Sequence, residues 1–144
     1  MVVVARADRS VRDAGVRLRS VRNAYLVLLV TILLWPKDFS RHQVRSLHYT
    51  AHHMLDWPRP LDFTLNVVLL VPLGAFVYLF TRWNRSRAYW MLVVPYACEV
   101  VQAFAGRLHR AATLWDVVAY TVGIALGFVA CVAFDTRAAR ANGR

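Results

Sequence analysis

Acidic side chains and cysteines are both scarce in this sequence. Aspartate and glutamate total 8 of 144 residues against 18 lysines and arginines, so the formal net charge is +10. The single glutamate is Glu99, and the aspartates form no dense acidic motif of the kind that metal-dependent lipid phosphotransferases carry. The two cysteines, Cys98 and Cys131, fall at different depths of hydrophobic segments. We therefore expect both to be buried and inert rather than joined in a disulfide.

Hydrophobic side chains, in contrast, make up 58% of the chain. A soluble domain of this size cannot bury that much apolar surface, which excludes an ordinary cytosolic enzyme. The same hydrophobicity excludes a disordered basic tail, and no base-stacking motif accompanies the arginines, so no nucleic-acid partner is expected. The composition predicts a small protein that crosses the lipid bilayer several times.

Four apolar segments lie between the arginines, at residues 21–35, 63–81, 89–106 and 114–134. The last three have 18 to 21 residues, which is the length that crosses a hydrocarbon core of about 30 Å as a helix. The first is shorter, but Trp35-Pro36-Lys37-Asp38 follows it instead of a signal-peptide cleavage site, so we interpret it as a retained span. The sequence therefore predicts an all-α fold: an integral membrane four-helix bundle in residues 21–134, flanked by basic cytoplasmic segments at 1–20 and 135–144.

Basic residues are unevenly divided between the two predicted sides of the bilayer. One side has twelve: Arg6, Arg9, Arg12, Arg17, Arg19, Arg22, Arg82, Arg85, Arg87, Arg137, Arg140 and Arg144. The other has six: Lys37, Arg41, Arg45, Arg59, Arg107 and Arg110. Because basic loops favour the cytoplasm, both termini of this cell-membrane protein are predicted to be cytoplasmic. The tryptophans fit an aromatic belt, since all five lie at predicted span ends or in flanking loops: Trp35, Trp57, Trp83, Trp90 and Trp115.

Two amphipathic helices are predicted outside the spans. One is formed by the basic N-terminal segment, residues 1–20. The other lies in the long external loop, where apolar residues recur every three or four positions between Ser40 and Pro58. His48 and His52 of this loop are one helical turn apart, but no third ligand stands at a diagnostic spacing. Neither a metal nor another cofactor is therefore predicted. The other connections are short, which predicts that spans two, three and four are consecutive antiparallel neighbours.

Polar side chains recur at three- and four-residue spacing on each of the last three spans, always toward the outer half. Ionisable groups within a membrane are costly, so each of them indicates a partner or a purpose. We predict that these faces form an outward-facing cleft that binds a ligand. Its predicted lining consists of Asp62, Asn66, Glu99, Gln102, Arg110, Asp116 and Tyr120.

Each of these residues also has a purely structural interpretation. Asp62 can cap span two, and Thr113 with Asp116 matches a capping box at the start of span four. Glu99 lies too deep for a cap, and its structural alternative is a hydrogen-bonded carboxyl that holds helices together. Arg110 either snorkels to the membrane surface or clamps a phosphate beside the carboxylates.

Prolines and glycines predict the shape of the bundle. Pro72 and Pro95 fall in the middle of spans two and three, where each removes one helical hydrogen bond and favours a kink. Gly123 and Gly127 are four residues apart, which lets another helix approach closely. Together with Pro72 and Gly74, these glycines are predicted to serve helix packing.

Taken together, the motifs resemble the VanZ-like family. The resemblance covers residues 62–127 and rests on these elements: Asp62-x-x-x-Asn66, Pro72-Leu73-Gly74, Glu99-x-x-Gln102, and Arg110 followed by Asp116, Thr121, Gly123 and Gly127. It implies a small multi-pass bacterial membrane protein of the cell envelope, connected in the founding case with lowered susceptibility to the glycopeptide antibiotic teicoplanin. It implies no particular reaction.

The chain departs from the family's pattern at two positions. The family usually has Arg-x-x-Asp, but in this chain Thr113 stands three residues after Arg110, at the position of the Asp. The family also usually has Asn before Thr, where this chain has Tyr120. The loss of one carboxylate and one amide argues against a catalytic or metal-binding role for this segment.

Three functions are compatible with these residues. The residues favour a non-enzymatic protein that binds an anionic envelope lipid or a lipid-linked precursor in the outward cleft. The alternative is a membrane-embedded enzyme that modifies a lipid headgroup, with Glu99 or Asp116 as general base. A small transporter using Glu99 is disfavoured because the chain has no inverted repeat. The oligomeric state, including a homo-oligomer, stays open.

Overall fold

The computed structural model describes residues 2–35, 59–82, 84–104 and 113–143. These residues form four α-helices and, within the described ranges, no strand: α1 (Val2–Leu34), α2 (Pro60–Thr81), α3 (Arg85–Phe104) and α4 (Leu114–Ala141). The predicted all-α class is confirmed, and the described residues contain four helices; two of them could span a membrane. The predicted helix of the external loop and the histidines in it lie outside the described residues.

The N-terminal basic segment and the first apolar segment form one continuous helix. The sequence predicted a separate amphipathic segment over 1–20, whereas α1 has no break between Val2 and Leu34. Its only glycine, Gly15, is tolerated, and the Ser20 and Thr31 hydroxyls donate to carbonyls four residues earlier. At 1.5 Å per residue its 33 residues extend about 50 Å, which is longer than the predicted span 21–35 requires.

Helices α2 and α4 begin at residues suited to a helix start. Pro60 occupies the first turn of α2, where a missing backbone N–H costs nothing, and Asp62 adds a negative charge to that turn. Thr113 caps α4, because its hydroxyl accepts from the backbone N–H of Asp116 at 3.2 Å. Helix α4 continues past the predicted limit at residue 134 to Ala141 and ends before Gly143, whose φ of +70° favours glycine.

Helix α2 is at the centre of the fold. Its most extensive contact is with α4, it also packs against α3, and α1 packs against α3. The contacts between α2 and α4 occur in the same order along both helices, from Asn66 with Asp116 to Tyr78 with Asp135, so the two helices are parallel. Helices α3 and α4 meet over a short stretch only. The predicted order of consecutive neighbours is therefore incomplete, since α4 packs mainly on α2.

Apolar side chains cover both the inside and the outside of this helical unit. The core is built from buried residues of all four helices, among them Leu29, Leu70, Leu73, Met91 and Tyr120. Large apolar side chains are also exposed along the outer faces of the helices, for example Leu65, Val68, Val93, Leu126 and Val129. Helices α2 and α4 are long and apolar enough to cross a membrane, and the apolar part of α3, Ala88–Phe104, is shorter.

Candidate functional site

Asn66 of α2 and Asp116 of α4 join the two central helices near their N-terminal ends. The Asn66 amide donates to Asp116 Oδ1 at 2.5 Å. Both residues were singled out by the sequence, but their pairing was not predicted. Asn66 is buried and Asp116 is half-buried, so the contact lies at the edge of the helix interface, where one partner remains accessible.

Asp116 also completes the cap of its own helix. The Thr113 hydroxyl donates to Asp116 Oδ2 at 2.8 Å and accepts from the Asp116 backbone N–H at 3.2 Å. One carboxylate thus closes the first turn of α4 and binds the amide of α2. Asp116 is therefore both a capping residue of α4 and a member of the polar cluster.

Glu99 and Tyr120 form the second interhelical contact. The Tyr120 hydroxyl of α4 donates to Glu99 Oε1 of α3, and both side chains are buried. The Tyr96 ring packs edge-on against the Tyr120 ring with centroids 6.5 Å apart, and the Tyr96 and Thr121 hydroxyls share a hydrogen bond of 3.1 Å. This contact is where α3 and α4 meet.

Gln102 connects α3 to the end of α1. Its Nε2 donates to the backbone oxygen of Leu33 at 2.7 Å. The carbonyls in the last turn of a helix have no partner within the helix, so the amide satisfies one of them. Gln102 is buried, and its Oε1 accepts no hydrogen bond from any described residue.

The structure gathers most of the predicted cleft residues at one end of the helices, which we call the polar end: Asn66, Glu99, Gln102, Asp116 and Tyr120. Asp62 lies in the first turn of α2, one turn before Asn66. Arg110 and Arg107 are in the connection between α3 and α4, outside the described residues. Asn66, Glu99, Gln102 and Tyr120 are each at most 6% exposed. The cluster is therefore tightly packed in the described residues.

The glycines lie where α2 and α4 touch. A Cβ added at Gly74 would overlap the carbonyl oxygen of Ile124, and one added at Gly127 would overlap that of Val71. A Cβ at Gly123 would overlap the carbonyl oxygen of Val67 in the same way. These three positions therefore set the separation of the two central helices.

Pro72 is accompanied by a contact that the sequence did not reveal. The Tyr25 hydroxyl of α1 donates to the backbone oxygen of Leu69 at 2.5 Å, and the Leu73 amide lies within hydrogen-bond reach of the same hydroxyl. Leu69 and Leu73 are one turn apart on either side of Pro72, which has no backbone N–H to donate to the preceding turn. The phenol therefore contacts the backbone next to the missing helical hydrogen bond. Pro95 of α3 is fully buried.

A second polar cluster lies at the opposite end of the helices, near the C-terminal ends of α2 and α4, which we call the basic end. The sequence did not predict this cluster. Asp135 of α4 accepts from the Tyr78 hydroxyl at 2.6 Å and from the Arg82 guanidinium at 2.5 Å. The Arg82 guanidinium also lies 6.0 Å from the centroid of the Tyr78 ring. The available signal was a lone acidic residue directly after the apolar segment and close in sequence to Arg137 and Arg140.

Metal binding has no support in the part of the chain that the structure describes. Within those ranges no group of three or more histidine, cysteine, aspartate or glutamate side chains is arranged to hold an ion. The cluster at the polar end offers carboxylates, amides and hydroxyls in hydrogen-bond contact with one another. These groups can donate and accept hydrogen bonds.

The described residues form an all-helical fold in which two helices are long and apolar enough to cross a membrane, which is compatible with a helical membrane protein. The model of the VanZ/LLP1 family matches residues 22–135, and this chain therefore belongs to that family. No curated protein and no solved structure matches the chain. The resemblance seen in the motifs is confirmed, and the match begins well before Asp62, at the apolar half of α1.

Proposed function

We propose that this chain is a multi-pass protein of the cell membrane, with both termini in the cytoplasm, which binds an anionic envelope lipid or lipid-linked precursor at its polar end. The observation that carries this proposal is the meeting of buried polar side chains from α2, α3 and α4 at one end of the helices, opposite the Asp135 cluster. Burying such groups in a membrane is costly, and helix packing alone does not require them.

Charge supports the orientation. Most of the described arginines lie toward the end that Asp135 also occupies, whereas Arg59 precedes α2 at the polar end. Those toward the Asp135 end include Arg17, Arg19, Arg22, Arg82, Arg85, Arg137 and Arg140. By the positive-inside bias this end faces the cytoplasm. The polar end then faces outward, where envelope lipids and their precursors are exposed to a membrane protein.

The chemistry of the polar end supports an anionic ligand with hydrogen-bonding groups. Arg107 and Arg110 follow α3 directly in the sequence and would supply positive charge for a phosphate. The Asn66 amide and the buried Gln102 Oε1 offer a donor and an acceptor. The contact between Asn66 and Asp116 is the accessible part of the cluster, so we place ligand entry there.

An enzymatic role receives less support from the geometry. A general base must reach the proton that it removes, and the Glu99 carboxylate is 5% exposed and already accepts from Tyr120. Asp116 is engaged by both Thr113 and Asn66. We therefore propose binding, and lowered glycopeptide susceptibility as its consequence by analogy with the family's founding member.

The experiment compares teicoplanin and vancomycin susceptibility in a sensitive Gram-positive host that expresses the full chain at matched membrane levels. The variants are Arg110→Gln, Glu99→Gln and Asp116→Asn, with Arg137→Gln as the control of equal charge change at the basic end. We expect the wild type and Arg137→Gln to lower teicoplanin susceptibility and the three polar-end variants to lose that effect.

Co-sedimentation with vesicles cannot distinguish insertion of the lipid probe into the bilayer from its binding to the protein. Binding is therefore measured on protein in nanodiscs. A fluorescent lipid-linked pyrophosphate precursor is the probe, added from detergent-free suspension. Wild-type binding that Arg110→Gln abolishes and Arg137→Gln preserves supports the proposal. Equal binding by all variants, together with unchanged susceptibility, would contradict it.

A further inference from the structure

A groove between α1 and α3 lies at the basic end, away from the cluster described above. Its volume is about 250 Å³, and it is lined by Arg22, Leu26, Trp90, Met91 and Val94. We infer that this groove binds one anionic phospholipid of the cytoplasmic leaflet, with the phosphate on Arg22 and the upper part of an acyl chain along the apolar wall. The inference rests on the proposed membrane orientation but not on the proposed outer ligand.

The order of side chains along the groove matches the order of groups in a phospholipid. Helices α1 and α3 run parallel, since Arg22 faces Trp90 at one level and Leu33 meets Gln102 further along. Leu26 lies one turn beyond Arg22, and Val94 lies one turn beyond Trp90. The groove thus has a charged and aromatic mouth and an apolar continuation toward the middle of the helices.

The Arg22 guanidinium is held in place without being neutralised. Its Nε and Nη2 both donate to Asn23 Oδ1, at 3.0 and 2.6 Å, and its central carbon lies 4.7 Å from the centroid of the Phe80 ring. Neither partner is a carboxylate, and within the described residues Arg22 forms no ion pair. The nearby Asp135 is occupied by Arg82 and Tyr78. A positioned, uncompensated guanidinium is suited to a phosphate.

The surroundings favour a lipid over a free anion. Basic pockets between membrane helices on the cytoplasmic side are typical sites for anionic headgroups, and Trp90, which is 72% exposed, stands at the level where interfacial aromatics lie. The groove is smaller than the range of about 300 to 1,000 Å³ that encloses whole small molecules. It is therefore suited to part of one lipid whose remainder stays in the bilayer.

The test uses the full chain, purified in mild detergent and exchanged into nanodiscs of phosphatidylcholine with a graded share of phosphatidylglycerol. Native mass spectrometry counts the lipids retained after release from the disc. The variants are Arg22→Gln and Arg22→Lys. Arg17→Gln is the control, because it makes the same charge change on an exposed part of α1 that does not line the groove.

We expect wild type to retain one phosphatidylglycerol in preference to phosphatidylcholine and Arg22→Gln to weaken this retention about fivefold, the loss of one direct hydrogen-bonded contact to the phosphate. Arg17→Gln should leave retention unchanged, and Arg22→Lys should keep most of it. Val94→Phe fills the apolar wall without touching the charge and should also weaken retention, which separates a groove from a merely basic surface.

Three results would overturn the inference: equal losses for Arg17→Gln and Arg22→Gln, equal retention of both lipids by wild type, or displacement of the lipid by millimolar glycerol phosphate, which would indicate a free-anion site. None of these variants touches the polar end. The susceptibility experiment on Arg110→Gln can therefore succeed or fail independently of this one.

Discussion

The cost of a polar residue in a membrane helix exceeds what its hydrogen bonds return. A charged side chain at the centre of a membrane helix costs about 2.5 to 3.5 kcal/mol on insertion scales, whereas a hydrogen bond between such helices contributes about 0.6 kcal/mol on average and about 1.7 at most. Glu99 is held by one such contact, from the Tyr120 hydroxyl. In the proposed membrane placement, stability alone is therefore a poor explanation for Glu99, which supports the proposed role in recognition.

The bond between Tyr120 and Glu99 predicts a specific loss on removal of one hydroxyl. Tyr120→Phe keeps the ring in the core but removes the hydroxyl that donates to Glu99 Oε1, so we expect the free energy of unfolding to fall by about 1 kcal/mol. Unfolding in dodecyl maltoside mixed with increasing dodecyl sulfate, followed by circular dichroism, measures it. Tyr89→Phe on the exposed face of α3 is the control, and an equal effect of both variants would contradict the prediction.

The pairing of Asn66 with Asp116 predicts coupling between two helices. In a double-mutant cycle with Asn66→Ala and Asp116→Ala, we expect the losses in unfolding free energy to be non-additive by about 0.5 to 1.5 kcal/mol. The contact of 2.5 Å is direct, so the first substitution already removes what the second would remove. Additivity within about 0.3 kcal/mol would show that the bond does not form in the membrane.

Helical periodicity located polar residues well but could not pair them. The faces that contain Glu99 and Asn66 follow from spacing alone, whereas their partners depend on which helices are adjacent. The Tyr78 contact with Asp135 was missed for another reason. Tyrosine reads as part of an apolar stretch, and Asp135 fell just outside the predicted limit of span four, so neither residue stood out.

At the scale of elements, the contact between α2 and α4 is decided by glycine rather than by large apolar side chains. Lipid tails compete equally well for apolar surface, so close backbone approach and the dispersion contacts that it allows drive the association. Gly74 faces α4 while Gly123 and Gly127 face α2. Each helix thus supplies a small residue where the other's backbone approaches, and the parallel arrangement of α2 and α4 places these residues in register.

This packing predicts opposite effects for two substitutions of glycine by alanine. Gly127→Ala places a Cβ on the Val71 carbonyl, and backbone cannot move aside as a side chain can, so we expect a loss of about 1 to 3 kcal/mol in unfolding free energy. Gly15→Ala meets no atom within 4 Å and should be neutral or stabilising by up to about 1 kcal/mol. The same micellar unfolding assay compares them, and a harmless Gly127→Ala would disprove the close approach.

Helix ends and helix order were the parts of the elements that the sequence left open. The apolar stretch of α1 begins near residue 21, but nothing before it stops a helix, since arginine and alanine propagate one well. The rise in hydrophobicity near residue 21 therefore marks the predicted membrane boundary and not the start of the helix. Short connections predicted that α2, α3 and α4 are consecutive antiparallel neighbours, but they carry no information on which pair packs most closely.

At the scale of the whole molecule, charge and polarity are separated along one axis. Most of the described arginines and the Asp135 cluster are at the basic end, and the Asn66, Glu99 and Asp116 contacts are at the other. In the proposed membrane arrangement this separation would fix the orientation, because basic segments are retained in the cytoplasm, and the polar end would face outward.

This polarity predicts the topology that labelling of single cysteines would reveal. In a background with Cys98→Ala and Cys131→Ala, Lys37→Cys should react with a membrane-impermeant maleimide on intact cells, because it follows the first span on the outer side. Gly143→Cys should react only after permeabilisation, because Gly143 lies two residues beyond α4, at the basic end. Labelling of Gly143→Cys from outside would reverse the orientation and move the polar end to the cytoplasm. The outer lipid proposal would then fail, while the packing of the helices would stand.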